Sequence, residues 1–345
     1  MNIVIIYGTR PEFLKLKMLV DALKKKNYNL VIVRINQHPS YGEDTGYYDK
    51  LLEIQDISCN RLSNIGINIL KSLPKYIENA THVLAQGDTA SCFYSLLCAY
   101  QMKKVCIHLE AGMRTYDLNN PYPEEGYREM ISRITNIHLC PSEIEKNFLI
   151  NEKVVSTSDN IHVVGNTILD LVSSYNIEDK LVQDNVIIIT LHRRENWDDY
   201  RTTIRNLNIL VSKYKNIKFY FLTHPNPSLS KIISEERMKT QNNENFDLAN
   251  LEIIPSLSHI ELINLLARCN CVITDSGGIQ EEANYLGKYL YILREATERS
   301  AISKDNYRLI NNNDLLTIDL NKSPSKRGYE YGDGKTCEKI LKLLI

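Results

Sequence analysis

Neither sign of charge is in surplus: 41 Lys plus Arg stand against 42 Asp plus Glu, so no overall field attracts nucleic acid, an anionic membrane surface or a basic partner. No apolar run approaches the roughly 18 residues of a membrane-spanning helix. The apolar start after Met1 passes within a few residues into Gly8-Thr9-Arg10-Pro11-Glu12, too short and wrongly flanked for a secretory leader. The eight cysteines lack the Cys-x-x-Cys pairing that suits zinc. Several (Cys98, Cys106, Cys140, Cys269, Cys271) fall inside expected strands or helices, and they read as reduced, buried thiols. No Asp-x-Asp metal motif and no internal repeat occurs, and the one biased tract, Asn311-Asn312-Asn313, is expected to be a surface loop. The expectation is a cytoplasmic protein with no nucleic-acid or membrane partner, no metal and no cofactor.

What is present is a βαβ rhythm over nearly the whole chain. Expected strands are Ile3–Tyr7, Leu30–Ile35, His82–Ala85, Val105–Leu109, Ile137–Cys140 and Ile161–Val164. They continue with Val186–Leu191, Ile217–Leu222, Leu251–Ile254, Cys271–Thr274 and Tyr289–Leu293, with helical segments between. A chain of 345 residues holds two domains of ordinary size. The fold class is α/β, with two Rossmann-like doubly wound domains. The composition shift at Ser173-Ser174-Tyr175-Asn176 and Glu178-Asp179-Lys180 sets the junction within 167–185, giving a first domain over 1–167 and a second over 168–331. Lys335 to Ile345 reads as a closing helix.

Open α/β sheets bind ligands beyond the carboxyl ends of their strands, and the suspicious polar residues fall there. Gly8-Thr9-Arg10-Pro11-Glu12 follows the first strand and opens a helix through Lys15. Gly87-Asp88-Thr89 follows His82–Ala85, Glu110-Ala111-Gly112 follows Val105–Leu109, and Pro123-Glu124-Glu125 starts a helix. His192-Arg193-Arg194-Glu195-Asn196 and His224-Pro225-Asn226-Pro227 follow two strands of the second half. Each has a bland explanation: Asp88 as an N-cap, Glu124 as a first-turn dipole partner with Pro123 at N1, His192 as a satisfied loop histidine. Together they supply candidate acids and bases.

The most informative stretch is Cys271-Val272-Ile273-Thr274-Asp275-Ser276-Gly277-Gly278-Ile279-Gln280-Glu281-Glu282. A strand runs into a Ser-Gly-Gly turn and a helix start, where unpaired N–H groups and a partial positive charge suit phosphate. The acids beside it make sense if Gln280, Glu281 or Glu282 faces a neutral ribose diol or caps the helix. Arg10 and Arg299 are further candidates for a diphosphate.

These motifs resemble the non-hydrolysing UDP-N-acetylglucosamine 2-epimerases: GTRPE at 8–12 with Lys15, GDT at 87–89, HLEAGMRT at 108–115, PEE at 123–125, GNT at 165–167, HRREN at 192–196, DSGGIQEEA at 275–283, TER at 297–299 and YGDG at 331–334. The resemblance implies a GT-B pair of domains with an interdomain cleft as active site, a C-terminal helix over about 332–345 packed back on the first domain, and a homodimer. It also implies C2 inversion of UDP-GlcNAc to UDP-ManNAc for surface polysaccharide precursors. The C2–H adjoins no carbonyl and is not acidic. The family therefore eliminates UDP across C1–C2 to give 2-acetamidoglucal and adds it back with a proton on the other face. By resemblance Asp88, Glu110, Glu124 and His192 move protons, in an order left open. Arg10, Lys15, His224, Ser276, Gly277, Gly278 and Arg299 hold the substrate, and Glu282 binds the ribose. The hydrolysing epimerases, which release ManNAc and UDP, and epimerases of modified UDP-2-acetamido sugars are the alternatives. The chain departs from the family pattern at Pro39-Ser40-Tyr41-Gly42 and over Cys59 to Leu73, stretches that in bacterial relatives form a second, activating UDP-GlcNAc site. It departs again at Ser300-Ala301, after TER.

Overall fold

β-Branched and aromatic runs bounded by polar turns favour buried parallel strands, and the amphipathic stretches between them favour helices that cover the sheet. A computed structural model of the chain describes residues 1–37, 44, 46–154, 158–177, 185–191, 199–223, 227–242, 247–320 and 326–344. The chain divides into two units, Met1–Ser174 with Glu330–Ile345, and Tyr175–Tyr329. The first unit runs β1 (Asn2–Tyr7), α1 (Arg10–Lys25), β2 (Asn29–Asn36), β3 (Lys50–Glu53), α2 (Arg61–Ser72), α3 (Pro74–Ile77), β4 (His82–Gln86), α4 (Ala90–Gln101), β5 (Val105–Leu109), α5 (Glu124–Ile134), β6 (Ile137–Cys140), α6 (Glu143–Asn151), β7 (Ile161–Val163) and α7 (Ile168–Ser174). The second runs β8 (Val186–Thr190), α8 (Tyr200–Lys213), β9 (Lys218–Leu222), α9 (Pro227–Gln241), β10 (Leu251–Ile254), α10 (His259–Arg268), β11 (Cys271–Thr274), α11 (Gly277–Tyr285), β12 (Tyr289–Leu293) and β13 (Tyr307–Ile310). The final helix, α12 (Thr336–Leu343), belongs to the first unit.

Both sheets are parallel, in the order β3-β2-β1-β4-β5-β6-β7 and β10-β9-β8-β11-β12-β13. The direction of winding reverses between β1 and β4 in the first sheet and between β8 and β11 in the second. Those switch points are where a doubly wound sheet opens a ligand crevice. The loops that leave them carry Arg10, Asp88 and Ser276.

Sequence chemistry fixes the entry of α1. Thr9 and Glu12 form a reciprocal capping box, Pro11 occupies the first turn, and Lys24 and Lys25 close the last turn. Phe13, Leu16, Leu19, Val20 and Leu23, spaced three and four apart, are buried against the sheet. Each such side chain contributes roughly 1.5–3 kcal/mol of burial. The same layer includes Cys337, Ile340 and Leu344, so the C-terminal segment completes the cover of this face.

The structure differs from these expectations in two places. Helix α7 lies in the first unit rather than opening the second, because it serves α12. Asp170 Oδ2 accepts from Thr336 N at 3.0 Å, and Oδ1 accepts from Cys337 N at 2.8 Å. These bonds satisfy first-turn donors of a helix whose own N-cap residue, Lys335, makes no side-chain cap bond. Gly165, at φ +101°, allows the approach: a Cβ there would stand 2.6 Å from Thr336 Oγ1 and 3.0 Å from the Tyr331 carbonyl. The second difference is that β3 and β13 extend the sheets beyond the eleven expected strands. Each is a four-residue edge strand. All eight cysteines are free thiols, with Cys59 exposed and the other seven buried.

Candidate active site

In the first unit the carboxylates gather around the start of α4. Glu110 follows β5 in the left-handed region, φ +69°, a conformation that costs energy for a residue with a side chain and recurs at functional sites. Its Oε2 accepts from Lys15 Nζ at 2.5 Å and from Gln86 Nε2, and Oε1 accepts from Asn166 Nδ2 at 3.4 Å. Lys15 thus reaches from α1 to the end of β5 as an ion pair with side chains only 11% and 6% exposed. The same Oε2 lies 4.0 Å from where a Cβ on Gly87 would be, so Glu110 borders the Gly87-Asp88 turn.

Asp88 is not an N-cap. That position belongs to Thr89, whose hydroxyl accepts from Cys92 N at 3.1 Å. Asp88 Oδ2 instead accepts from Arg128 Nε at 2.9 Å, and Arg128 also binds Glu125 at 2.7 Å. Pro123 is the N-cap of α5 rather than its first residue, and Glu124 opens the helix. Glu124 and Arg128 are four apart on α5, hence on one face, which sets Glu124 on the side of α5 that meets Asp88.

Sequence reasoning had not singled out Glu12 as a site residue. Its carboxylate is buried and receives Gly8 N and Thr9 N at 2.7 Å each, and the Thr89 hydroxyl donates to its other oxygen. Glu12 therefore locks the loop carrying Arg10 to the loop carrying Asp88. Burial raises its pKa, opposed by these hydrogen bonds. Gly8 is required beneath this junction: a Cβ would stand 2.0 Å from Ser91 Oγ and 2.7 Å from Ser91 Cβ on α4. Cys92 records the charge density, since its thiol is held far from ionising first by burial and then by Glu12, Asp88 and Glu110. His108, two residues before Glu110, has a ring nitrogen 2.7 Å from the Gly87 carbonyl. Burial lowers its pKa to about 4, so it is neutral at pH 7 and donates that bond.

In the second unit the switch point is bridged by Thr190 and Thr274, whose hydroxyls lie 2.7 Å apart at the ends of β8 and β11. Ser276 N donates to Thr274 Oγ1 at 3.0 Å, and Ser276 caps α11 without a side-chain bond. The N–H groups of the first turn, including Gly277 and Gly278, have no intrahelical acceptor. A Cβ at Gly278 would meet nothing within 4 Å, so this turn can be approached closely. Arg299 is buried beneath, ion-paired with Glu281 and with Glu298 at 3.4 Å, and Arg294 binds Glu298 at 2.5 Å. Its NH2 would stand 3.3 Å from a Cβ on Gly277, so Arg299 supports the turn as part of an ion network. Glu282 Oε1 takes a 2.8 Å bond from His259 Nε2.

The structure therefore brings Lys15, Asp88 and Glu110 together in the first unit, with Glu124 one turn from Arg128. It brings Ser276, Gly277, Gly278 and Arg299 together in the second. His192 and His224 lie outside the described residues. Gln86, Arg128, Asn166 and His259 escaped the sequence reading. Asn166 lies within the noted GNT and Gln86 directly precedes GDT, whereas Arg128 and His259 carry no local signal beyond helix spacing.

The chain matches the family described as UDP-N-acetylglucosamine 2-epimerase over residues 21–345. It is 30% identical to the UDP-N-acetylglucosamine 2-epimerase of Campylobacter jejuni, covering 100% of this chain and 97% of that protein. The crystal structure of the Neisseria meningitidis UDP-GlcNAc 2-epimerase bound to UDP-GlcNAc superposes with a TM-score of 0.87 at 28% identity, covering 100% of this chain and 99% of that one. The Methanocaldococcus jannaschii enzyme in complex with UDP-GlcNAc and UDP gives 0.78 at 28% identity, again over 100% and 99%. Two parallel Rossmann-like sheets of the GT-B type, with carboxylates at the strand ends of one and a Ser-Gly-Gly helix start in the other, accompany a match over almost the full length: the chain belongs to the UDP-N-acetylglucosamine 2-epimerase family.

Proposed function

We propose that the chain interconverts UDP-GlcNAc and UDP-ManNAc without net hydrolysis, by anti elimination of UDP to 2-acetamidoglucal and re-addition. The observation that carries this reading is the clustering of Asp88 and Glu110 about the α4 start, each held by a cation, with Glu124 on the α5 face that meets Asp88. Lys15 and Arg128 fix the directions of the two carboxylates, and the neutral donors Gln86 and Asn166 complete the Glu110 shell. Proton removal from one face and return to the other needs more than one such group, and His192 completes the proposed set.

As the C1–O bond breaks, positive charge grows at C1, the C2 proton becomes removable, and negative charge grows on the diphosphate. The first-turn N–H groups after Ser276 and the positive end of α11 would stabilise that charge, with Arg10 and His224 as further ligands and Glu282 on the ribose. In this division of labour Lys15 orients Glu110, and Arg299 shapes the phosphate turn from below. A homodimer and a cytoplasmic setting belong to the same proposal.

Incubation with UDP-GlcNAc in deuterated water, followed by proton NMR, tests it. The expected product is UDP-ManNAc carrying deuterium at C2. Free ManNAc plus UDP would assign the hydrolysing reaction instead, and an unchanged substrate would point to a modified 2-acetamido sugar. Amide variants of Asp88, Glu110 and Glu124 should each lose roughly 100-fold or more in turnover where the group transfers the proton. Near-normal turnover in all three would refute the mechanism.

A further inference from the structure

Glu282 does not stand alone. Its Oε1 is 2.8 Å from His259 Nε2, and His259 Nδ1 is 2.8 Å from the Tyr175 hydroxyl. Both members of the first contact are nearly sealed from water, with side chains 7% and 6% exposed. A carboxylate only accepts, so Nε2 donates to Glu282, and the Tyr175 hydroxyl pairs with the opposite ring nitrogen, Nδ1. The three residues come from separate places: Tyr175 is the first residue of the second unit, His259 opens α10, and Glu282 lies on α11. His259 is held on the α10 side by the Ser258–Glu261 capping box, which fixes the first turn from which its ring projects.

We propose that His259 is a positioning residue for nucleotide recognition, holding the Glu282 carboxylate by its Oε1 so that Oε2 is presented to the vicinal hydroxyls of a ribose, with Tyr175 fixing the orientation of the ring from its other side. The inference rests on the assignment of Glu282 to the ribose made above. Without His259, a buried carboxylate loses its charge-assisted donor and turns toward whichever donor is nearest, and its hydrogen-bonding direction toward the diol is lost.

The test compares binding of UDP and 2′,3′-dideoxy-UDP to the full-length protein by calorimetry. The ratio of the two affinities reports on diol recognition and is insensitive to a general loss of stability. The wild-type protein should prefer UDP by at least about tenfold, the magnitude of one charge-assisted hydrogen bond. H259L should bring the ratio close to one, as should E282A, and the double variant should be no worse than E282A. H259Q, whose Nε2 can still donate to Glu282, should keep a ratio within about threefold of wild type. Y175F, the milder change because it removes a single hydroxyl, should reduce the ratio by about threefold. A wild-type ratio in H259L, or in Y175F where H259L is unfolded, together with loss of the ratio in E282A, overturns the role of His259 alone. A wild-type ratio in E282A overturns the ribose assignment and this inference with it.

Discussion

Lys15→Met is the sharpest perturbation of the site that leaves every proposed proton-transfer group in place. Lys15 Nζ and Glu110 Oε2 are 2.5 Å apart, with side chains 11% and 6% exposed. At an effective dielectric of about 20 the attraction at this distance is about 7 kcal/mol, most of it offset by the cost of desolvating both ions. Removing one partner leaves the other charge buried, and such losses amount to about 3–5 kcal/mol. Gln86 and Asn166 remain as donors to Glu110 but carry no charge. For a unit of 190 residues, Met1–Ser174 plus Glu330–Ile345, the midpoint should fall by roughly 6–20 °C, at about 2–4 °C per kcal/mol. Urea unfolding of the wild-type protein, K15M, E110Q and the double variant closes a double-mutant cycle. The double variant should recover most of what K15M loses, with a coupling energy of at least about 2 kcal/mol. A K15M loss below about 1 kcal/mol, or a double variant less stable than K15M, would show that the pair is screened and that Lys15 does not hold Glu110.

Three further outcomes follow from the geometry. Gly8→Ala puts a methyl 2.0 Å from Ser91 Oγ, so α4 must shift. A loss of about 1–3 kcal/mol in denaturant unfolding is expected, and an unchanged midpoint would count against the close approach of α4. Asp170→Ala removes two bonds to the first turn of α12. Hydrogen exchange over Thr336–Leu343 should accelerate ahead of the rest of the first unit, whereas unaltered protection would mean the helix is held by packing alone. His138 is fully buried; burial, with smaller contributions from His108 and Arg114, lowers its pKa to about 3 against the opposing pull of a backbone hydrogen bond at Thr135. Because its folded-state pKa lies below the unfolded value, the unfolded chain binds the extra proton as pH falls from about 6.5 toward 3, and stability is lost over that window. His138→Leu should flatten the acid side of the stability profile by up to about 1.4 kcal/mol per pH unit, and parallel profiles would refute the assignment.

Much of this was legible in the sequence because the fold repeats one local rule. All eleven expected strands form, since apolar runs bounded by polar turns have few alternatives in an α/β chain, and the rule that ligands bind at strand carboxyl ends led directly to Glu110, Asp88 and Ser276. The edge strands β3 and β13 were not legible. Lys50-Leu51-Leu52-Glu53 is four residues long with charged ends, and becomes a strand only because β2 offers an open edge. Partnerships were the other silent layer. Glu110 meets Lys15 across 95 residues, and Asp170 caps a helix that begins 166 residues later. The junction itself was legible, since the break between Ser174 and Tyr175 falls within the expected 167–185, but the choice of 168 as the start of the second domain left α7 there, and only the bonds from Asp170 to α12 tie it to the first unit. Asp88 was weighed as an N-cap because a loop Asp before a helix usually is one, and only the tertiary contact with Arg128 removes it from that role.

The arrangement of the cysteines has a practical outcome for thiol chemistry. Seven are enclosed, and burial moves every one of them away from the thiolate that reagents attack; Cys92 is further shielded by three neighbouring carboxylates. Cys59, just ahead of α2, is the exception. Ellman's reagent applied to the native protein should consume one equivalent out of eight. A fluorophore or spin label can then be attached at that single position without engineering, and the appearance of the remaining seven equivalents becomes a direct clock for global opening.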